Sequence, residues 1–328
     1  MGQFIVTPEW VGTFETNQHV LIQNGWDEVQ KNLLWDRYME TRPSTTLKEI
    51  YFWLLETAAI RDEDGAQKFF DGMAALSQTI TNKDSGAGLK LTRNEIEDNM
   101  MASGQPALDY AAAWASEIGG AAAYWPQKKL FELIAAGEGT TLGTAYDGKP
   151  FFATDHPVNP YDDAAGDYAN LITTTCAIDA SVSLEVAATN FASVIARIRG
   201  FRQPNGTPRM LRPVGVLAGP LLEKRSREVT EAKFYGQDGS TENVITRYGT
   251  TVEIADEMTS STEYIVLCKP VTSGGAPFIF QDRMPYVMST YTPDTQAILQ
   301  LRKEYMWTFD GRNVPTYGHP YLAVKCKP

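Results

Sequence analysis

At 328 residues, with 43% hydrophobic and 21% charged side chains, the chain is long enough to bury a substantial core and too apolar for wholesale disorder. Its 40 acids against 29 bases leave a formal net charge of -11, which argues against a surface that grips nucleic acid through clustered lysine and arginine. Three distant cysteines (Cys176, Cys268, Cys326) form no CxxC pair and no disulfide framework, as in a reducing compartment. Met1–Val6 lacks the basic and apolar regions of a secretion signal, Val6 does not suit myristoylation, and no apolar run approaches a membrane span, so a soluble protein made in the cytoplasm is expected.

The first stretch, to about Pro43, mixes Trp10, Phe14, Trp26, Leu33, Leu34, Trp35 and Tyr38 with polar residues. It reads as an extended arm with a short helical portion near Trp26–Tyr38, its aromatics packed on the chain's own core or on a neighbouring subunit, the former slightly favoured. Residues 46–99 read as a two-limbed excursion: an apolar limb from Glu49 to Glu56, an acidic turn at Arg61–Gly65, and a return limb through Ser77–Lys83 and Leu89–Thr92. Thr92 with Glu95 three residues on predicts a capped helix start.

From Gln105 to Ala136, Leu108, Ala111, Ala115, Ile118, Ala122 and Trp125 recur at helical steps. A continuous helix there would be roughly 45–50 Å long. Gly119-Gly120 and Pro126 predict a kink or a break into two helices, and Gly137 an end. The alanine-rich face permits another backbone to approach closely. Beyond Tyr146 the periodicity alternates: a helix over Leu184–Arg199 with Val186, Phe191, Val194, Ile195 and Ile198 inward, a turn at Arg202–Gly206, a buried strand at Pro213–Gly219, a helix over Leu221–Phe234, and strands at Thr251–Ile254 and Tyr264–Leu267. Phe278–Phe280, Glu304–Asp310 and Tyr321–Lys325 are expected as strands of an antiparallel sheet that closes the chain. The fold class is α+β.

Chemistry has little purchase. Of the three histidines, His156 and His319 precede proline, and no HxxxH or HExxH occurs. Asp155-His156 could be a base with an orienting acid, but nothing near it offers a nucleophile. A turn whose histidine satisfies a local polar group is the stronger expectation. GxSxG, GxxxxGK[ST] and GxGxxG after a strand are all missing from the sequence. Asp162–Asp167 lacks calcium-loop spacing, the cysteines read as packing residues, and Lys224–Arg227 reads as a salt-bridged helix face. No catalytic residue, cofactor-binding residue or metal ligand is therefore assigned, and no cofactor is expected.

Two segments nonetheless stand out: Tyr146-Asp147-Gly148 with Phe151-Phe152 and His156-Pro157-Val158, and Pro277-Phe278-Ile279-Phe280-Gln281-Asp282-Arg283. Asn82-Lys83, Arg93 with Glu97-Asp98-Asn99, Tyr317-Gly318 and Ala323-Val324-Lys325 add to them. In this order they resemble the major head subunit of Mu-like tailed phages. The resemblance implies the capsid fold first described in phage Hong Kong 97, laid out as an N-terminal arm (1–45), an extended hairpin loop (46–98), a peripheral domain with a spine helix (99–139), an axial domain (140–275) and a closing peripheral sheet (276–328).

It also implies a major capsid protein, not an enzyme, self-assembling into the hexamers and pentamers of an icosahedral head around double-stranded DNA, held without sequence-specific binding. Separate scaffolding and portal proteins, a possible decoration protein, no membrane partner, and assembly in the bacterial cytoplasm into the virion follow from the same likeness. Some relatives crosslink a hairpin lysine to an asparagine; Lys83 is a possible donor without a carried-over acceptor, so noncovalent assembly is expected. The alternatives are an encapsulin-like compartment, a soluble α/β enzyme and a tail component.

Overall fold

The computed structural model describes residues 8–54, 75–101, 106–235, 241–270, 275–293 and 296–328. Helix α1 (Pro8–Gln30) begins with proline, whose missing N–H costs nothing in a first turn. Its buried positions Val11, Phe14, Gln18, Ile22 and Gly25 recur every three or four residues. This corrects the expected extended arm: the helix runs over 8–30, and Trp35–Arg37 is only a 3-10 turn. The arm's aromatics do pack on the chain's own core, Phe14 lying 5.1 Å from Trp307.

Strands β1 (Met39–Pro43), β2 (Lys48–Leu54), β3 (Ala75–Thr81) and β4 (Asp84–Thr92) follow, then α2 (Arg93–Met101) and α3 (Pro106–Ala136). The acidic turn at 61–65 lies outside the described residues. β2 and β3 form a two-stranded antiparallel ribbon from Lys48↔Thr81 to Leu54↔Ala75. β4 does not belong to that ribbon and pairs along its length with β14 (Glu304–Tyr317). At the start of α2 the Glu95 N–H donates to Thr92 Oγ1 (3.3 Å) while Glu95 Oε2 accepts from the Thr92 N–H (2.8 Å), the reciprocal cap expected there.

α3 is one helix of 31 residues, unbroken at Gly119-Gly120 and Pro126. The glycines serve contact instead. A Cβ on Gly119 would fall on the Ile22 carbonyl and one on Gly25 on the Ser116 carbonyl, so α1 and α3 touch backbone to backbone.

The remaining elements are β5 (His156–Pro157), β6 (Asp167–Tyr168), β7 (Leu171–Ile172), α4 (Leu184–Arg199), β8 (Leu211–Ala218), α5 (Glu223–Thr230), β9 (Phe234–Tyr235), β10 (Thr241–Glu242), β11 (Thr251–Ile254), β12 (Tyr264–Pro270), β13 (Phe278–Tyr291), α6 (Ala297–Arg302) and β15 (Ala323–Cys326). One sheet has the order β1-β13-β14-β4, with β1 parallel to β13 and the rest antiparallel. A second has the order β11-β8-β12-β15-β7. The last strand is thus not part of a closing antiparallel sheet: β15 pairs with β12 and, in parallel, with β7.

Alternation in the second sheet builds two cores. Val216, Tyr264, Val266, Cys268, Val324 and Cys326 face α4, and all three cysteines pack as apolar side chains without disulfides. Leu217, Ile265, Leu267 and Ala323 face the end of α3. On α4, Ser183 caps the first turn and leaves Val186 47% exposed, so Val186 is not inward as expected. α5 stops at Thr230, short of the expected Phe234, where Asn243 Nδ2 donates to the Val229 and Ala232 carbonyls (both 2.8 Å). Its exposed face carries the expected ion-pair ladder, including Arg227 with Glu223 (3.0 Å) and Glu231 (3.3 Å).

The α1–α3 crossing makes a direct prediction. Gly119→Val should lower the urea midpoint by the equivalent of about 2 kcal/mol or more, the cost of forcing side-chain volume between packed backbones. Gly139→Ala, whose added Cβ would meet only Ala136 O at 3.7 Å, should stay within about 0.5 kcal/mol of wild type.

Candidate functional site

Two polar constructions hold the described chain in shape, one at the root of the β2–β3 ribbon and one where the two sheets meet. At the root, β13 is buried through Phe278, Ile279 and Phe280, and its next residue, Gln281, is buried too. Gln281 Nε2 donates to Asn82 Oδ1 (2.7 Å), and the Tyr51 hydroxyl donates to Gln281 Oε1 (3.0 Å). Asn82 Nδ2 donates in turn to Ser44 Oγ and to Thr46 O, both at 2.8 Å. Glu49 completes the set, Oε1 accepting from the N–H groups of Thr45 (2.8 Å) and Thr46 (3.0 Å) and from Ser44 Oγ (2.9 Å). The Thr46 and Thr45 amides, then the Ser44 hydroxyl, hold the Glu49 carboxyl down to about 2. Asn82 and Gln281, from segments that resemblance singled out, thus bond to each other.

Further along, Gln78 Nε2 donates to Thr144 O (3.1 Å). A cleft of about 1310 Å³ separates β3 from α3, lined among others by Ile80, Trp125, Lys128, Tyr286 and Val314. No histidine or cysteine lines it; Asp84 is engaged by Arg312 (2.9 Å) and Glu132 by Lys129 (2.5 Å). Among the described residues its lining offers neither a nucleophile–base pair nor an acid without a cation beside it.

The second construction gathers the segment 137–158, the strand pair β5–β6 and the passage from β14 to β15. Phe151 stacks on Tyr317 (4.9 Å, 13°) and meets Phe152 and Phe278, each at 4.9 Å. Gly137 is required by closeness: a Cβ there would meet the Phe152 ring at 2.7 Å. Asp147-Gly148 forms a tight turn, with Gly148 at φ +80° and its N–H donating to Ala145 O (3.0 Å).

His156 is fully buried in this turn but does not work with Asp155, which pairs with Lys149 (2.6 Å). Its Nδ1 lies 2.6 Å from Asp147 Oδ2 and its Nε2 3.1 Å from the Phe151 carbonyl, while Tyr168 stacks on the ring at 5.2 Å. Burial opposes charge on Asp147, but the hydrogen bond and charge of His156 hold its carboxyl below the usual range. With both nitrogens engaged and both side chains sealed from solvent, the pair is a structural brace. His19, by contrast, is exposed, 4.0 Å from Glu15.

Asn170 was not singled out by the sequence, yet its side chain ties the 151–153 passage to the 320–323 passage. It is fully buried; Nδ2 donates to the carbonyls of Phe151 (2.7 Å), Pro320 (2.9 Å) and Ala323 (3.3 Å), and Oδ1 accepts from the Ala153 N–H (2.9 Å). Its only sequence trace is an asparagine beside short alternating residues. Nearby, Lys325 pairs with Glu138 (2.6 Å) and Glu263 (3.0 Å), and Lys327 with Glu138 (2.8 Å), joining β15 to the end of α3. The Asp162 loop is a turn in which Asp162 Oδ1 accepts from the Ala164 N–H (3.0 Å). Among the described residues no group of three His, Cys, Asp or Glu side chains could hold a metal, and no helix is long and apolar enough to cross a membrane.

A spine helix, a long sheet, a second sheet with its own helices and an anchored ribbon together define a Hong Kong 97-type capsid fold. The capsid protein of cyanophage P-SCSP1u superposes with a TM-score of 0.51 at 11% identity, over 88% of this chain and 86% of that one, which speaks for the fold alone. The sequence model of the Mu-like prophage major head subunit gpT matches residues 13–181, and the chain belongs to that family. It is 25% identical to the major capsid protein of Escherichia phage Mu over 166 residues, 51% of this chain and 50% of that protein. It is 30% identical to the Mu-like prophage FluMu major head subunit of Haemophilus influenzae over 115 residues, 35% of this chain and 34% of that one. The chain therefore matches half or less of the length of these relatives.

Two predictions follow from the sheet junction. Asn170→Ala should cost about 3 kcal/mol in urea unfolding, since it strands buried carbonyls rather than merely removing a side chain. His319 is held down to about 3, by burial first and then by the charges of Arg209 and Arg42. The unfolded chain takes up that proton near pH 6.5, so the stability held by neutral His319 is whole above that pH and drains as pH falls toward 3. His319→Gln should flatten this acid limb when urea midpoints are compared from about pH 7 down to about pH 4; an unchanged limb would refute the assignment.

Proposed function

We propose that the chain is a non-enzymatic shell subunit that assembles with copies of itself into hexamers and pentamers of an icosahedral phage head, around double-stranded DNA. The observation that carries this reading is the β2–β3 ribbon. A two-stranded ribbon is marginal alone in water, yet this one is built to a fixed departure by the Asn82–Gln281–Glu49 network, and Ile50 on it and Leu47 just before it are each 55% exposed. A rigidly anchored, half-exposed ribbon gains its missing cover from a neighbouring copy. The names of the Mu and Haemophilus relatives support the same function.

In this reading the arm is residues 1–45, the assembly hairpin includes the β2–β3 ribbon, α3 and the β1-β13-β14-β4 sheet are the peripheral unit, and the β11-β8-β12-β15-β7 sheet with α4 and α5 is the axial unit. Residues 84–98 then serve the peripheral unit, since β4 pairs with β14. Scaffolding and portal proteins are separate partners, with a possible decoration protein outside. The shell assembles in the bacterial cytoplasm and persists in the virion.

Electron microscopy of the chain co-expressed with its scaffold should show closed polyhedral shells. Replacing residues 55–74 with an Asn-Gly turn, which keeps the Leu54↔Ala75 pairing, should leave a folded subunit that no longer closes shells. Normal shells from that variant would remove the ribbon from the assembly mechanism, and a monomer even with scaffold would overturn the function.

A further inference from the structure

The run Arg197–Arg212 carries five arginines (Arg197, Arg199, Arg202, Arg209, Arg212) and no acid, in a chain whose net charge is -11. It occupies the last turn of α4, the turn at 202–208 and the first residues of β8. Arg197, Arg199, Arg202 and Arg212 are exposed. None of the five forms an ion pair with a carboxylate among the described residues. The structure concentrates the charge further. Arg209 Nε donates to Arg202 O (2.8 Å), which holds those two residues side by side, and Arg212 faces Lys269 across the β8–β12 ladder. Like charges opposite each other on a sheet are destabilising, so this arrangement has a cost within the subunit and calls for an external anion.

Two of the guanidiniums are positioned by aromatic faces: Arg209 lies 4.1 Å over the Tyr321 ring and Arg199 5.2 Å over Tyr248. The loop between them turns at Gly206 (φ +79°), and its surface carries the polar Gln203, Asn205 and Thr207 beside Pro204 and Pro208. Met210, 56% exposed, is the large apolar side chain on display in this run. An interface between protein copies has an apolar centre with charge at its rim; here charge and amides fill the surface, the composition that contacts phosphates. Arginine's planar fork also suits phosphate oxygens better than a point charge does.

We infer that this end of the axial sheet is a sequence-independent contact for the phosphate backbone of double-stranded DNA, and that it marks the face of the subunit turned toward the genome. The orientation rests on the shell reading; the DNA contact itself does not. The run presents its charge from a helix end and a turn rather than from a helix or ribbon shaped to enter a groove, so contact through phosphates, indifferent to sequence, is the expectation.

The test is fluorescence anisotropy of a short mixed-sequence DNA duplex with the purified full chain, titrated between about 50 and 200 mM salt. Wild type should bind at low salt and weaken steeply, with a log–log slope of about -0.9 for each phosphate contacted. The triple variant Arg202→Gln/Arg212→Gln/Lys269→Gln should bind at least about tenfold more weakly at about 50 mM salt and lose about 2–3 from the magnitude of that slope. Arg202→Lys/Arg212→Lys, which keeps the charge, should restore most of the slope, and matching thermal melts establish that all three proteins are folded. No binding by wild type at low salt, or an unchanged slope in the triple variant, overturns the inference. So does binding of polyglutamate as tight as that of DNA with the same loss in the variant, which would make the patch a dock for an acidic protein segment. Electron micrographs of the chain co-expressed with its scaffold separate the two readings: shells there with no DNA affinity of the purified chain refute the patch alone, and DNA affinity with no shells even beside the scaffold refutes the shell alone.

Discussion

The geometry of this subunit depends on one apolar contact, the stack of Phe151 on Tyr317 with Phe152 and Phe278 around it. These side chains come from three passages of the chain between the β1-β13-β14-β4 and β11-β8-β12-β15-β7 sheets, and they share a core with the end of α3 and one face of the second sheet. Because protein interiors are close-packed, a shared core transmits position. The Tyr317 hydroxyl donates to Leu133 O (2.9 Å), where α3 runs out of internal donors, so the stack also fixes the end of the spine helix. From Phe278 the strand continues through Phe280 to Gln281, the residue that holds the ribbon root. The direction in which the ribbon leaves the subunit is thereby inherited from an aromatic cluster three residues away.

The polar residues inside this framework specify more than they stabilise. A net hydrogen bond is worth only about 1 kcal/mol, whereas an unmade buried one costs about 1–3. Asn170, His156, Asn82 and Gln281 each have their side-chain nitrogens and oxygens engaged, in arrangements that a slipped register would leave unmade. A one-residue slip of β13 against its neighbours would turn Gln281 away from Asn82 and expose Phe278 or Phe280. In the proposed assembly, where every copy has to present the same ribbon, that penalty on near-native alternatives would matter more than overall stability.

What the sequence disclosed follows the range of the interaction. The Asp147-Gly148 turn, the Thr92–Glu95 cap and the alternation of β8 and β12 are local, and their residues name them. The turn with a locally satisfied histidine was the favoured expectation for His156, but its acid, Asp147, is nine residues away and could not be named from the sequence, where only the adjacent Asp155 stood beside it. α1 was obscured because Gln18 and Gly25 interrupt its apolar stripe; the glycine at 25 makes sense only once Ser116 of α3 is against it. α5 ends early through Asn243, thirteen residues beyond Thr230, and β15 pairs with the axial sheet although its alternation suits either sheet equally. Asn170 had no local signature, since its partners lie up to 153 residues away.

Net charge is a poor guide to a protein with this many paired ions. Most charges of α5, and the Lys325–Glu138–Glu263 group, cancel locally and set no long-range field. Setting aside the run 197–212, with its charge of +5, the remaining chain carries -16, because -11 minus 5 is -16. A wall built of such subunits would repel a polyanion broadly while offering it one confined foothold per copy. Repulsion over most of the surface keeps a packed duplex movable, and screening beyond about 10 Å limits each foothold to the phosphates that reach it. The two are compatible because they act at different distances, so an acidic balance and a DNA-contacting patch can belong to the same surface.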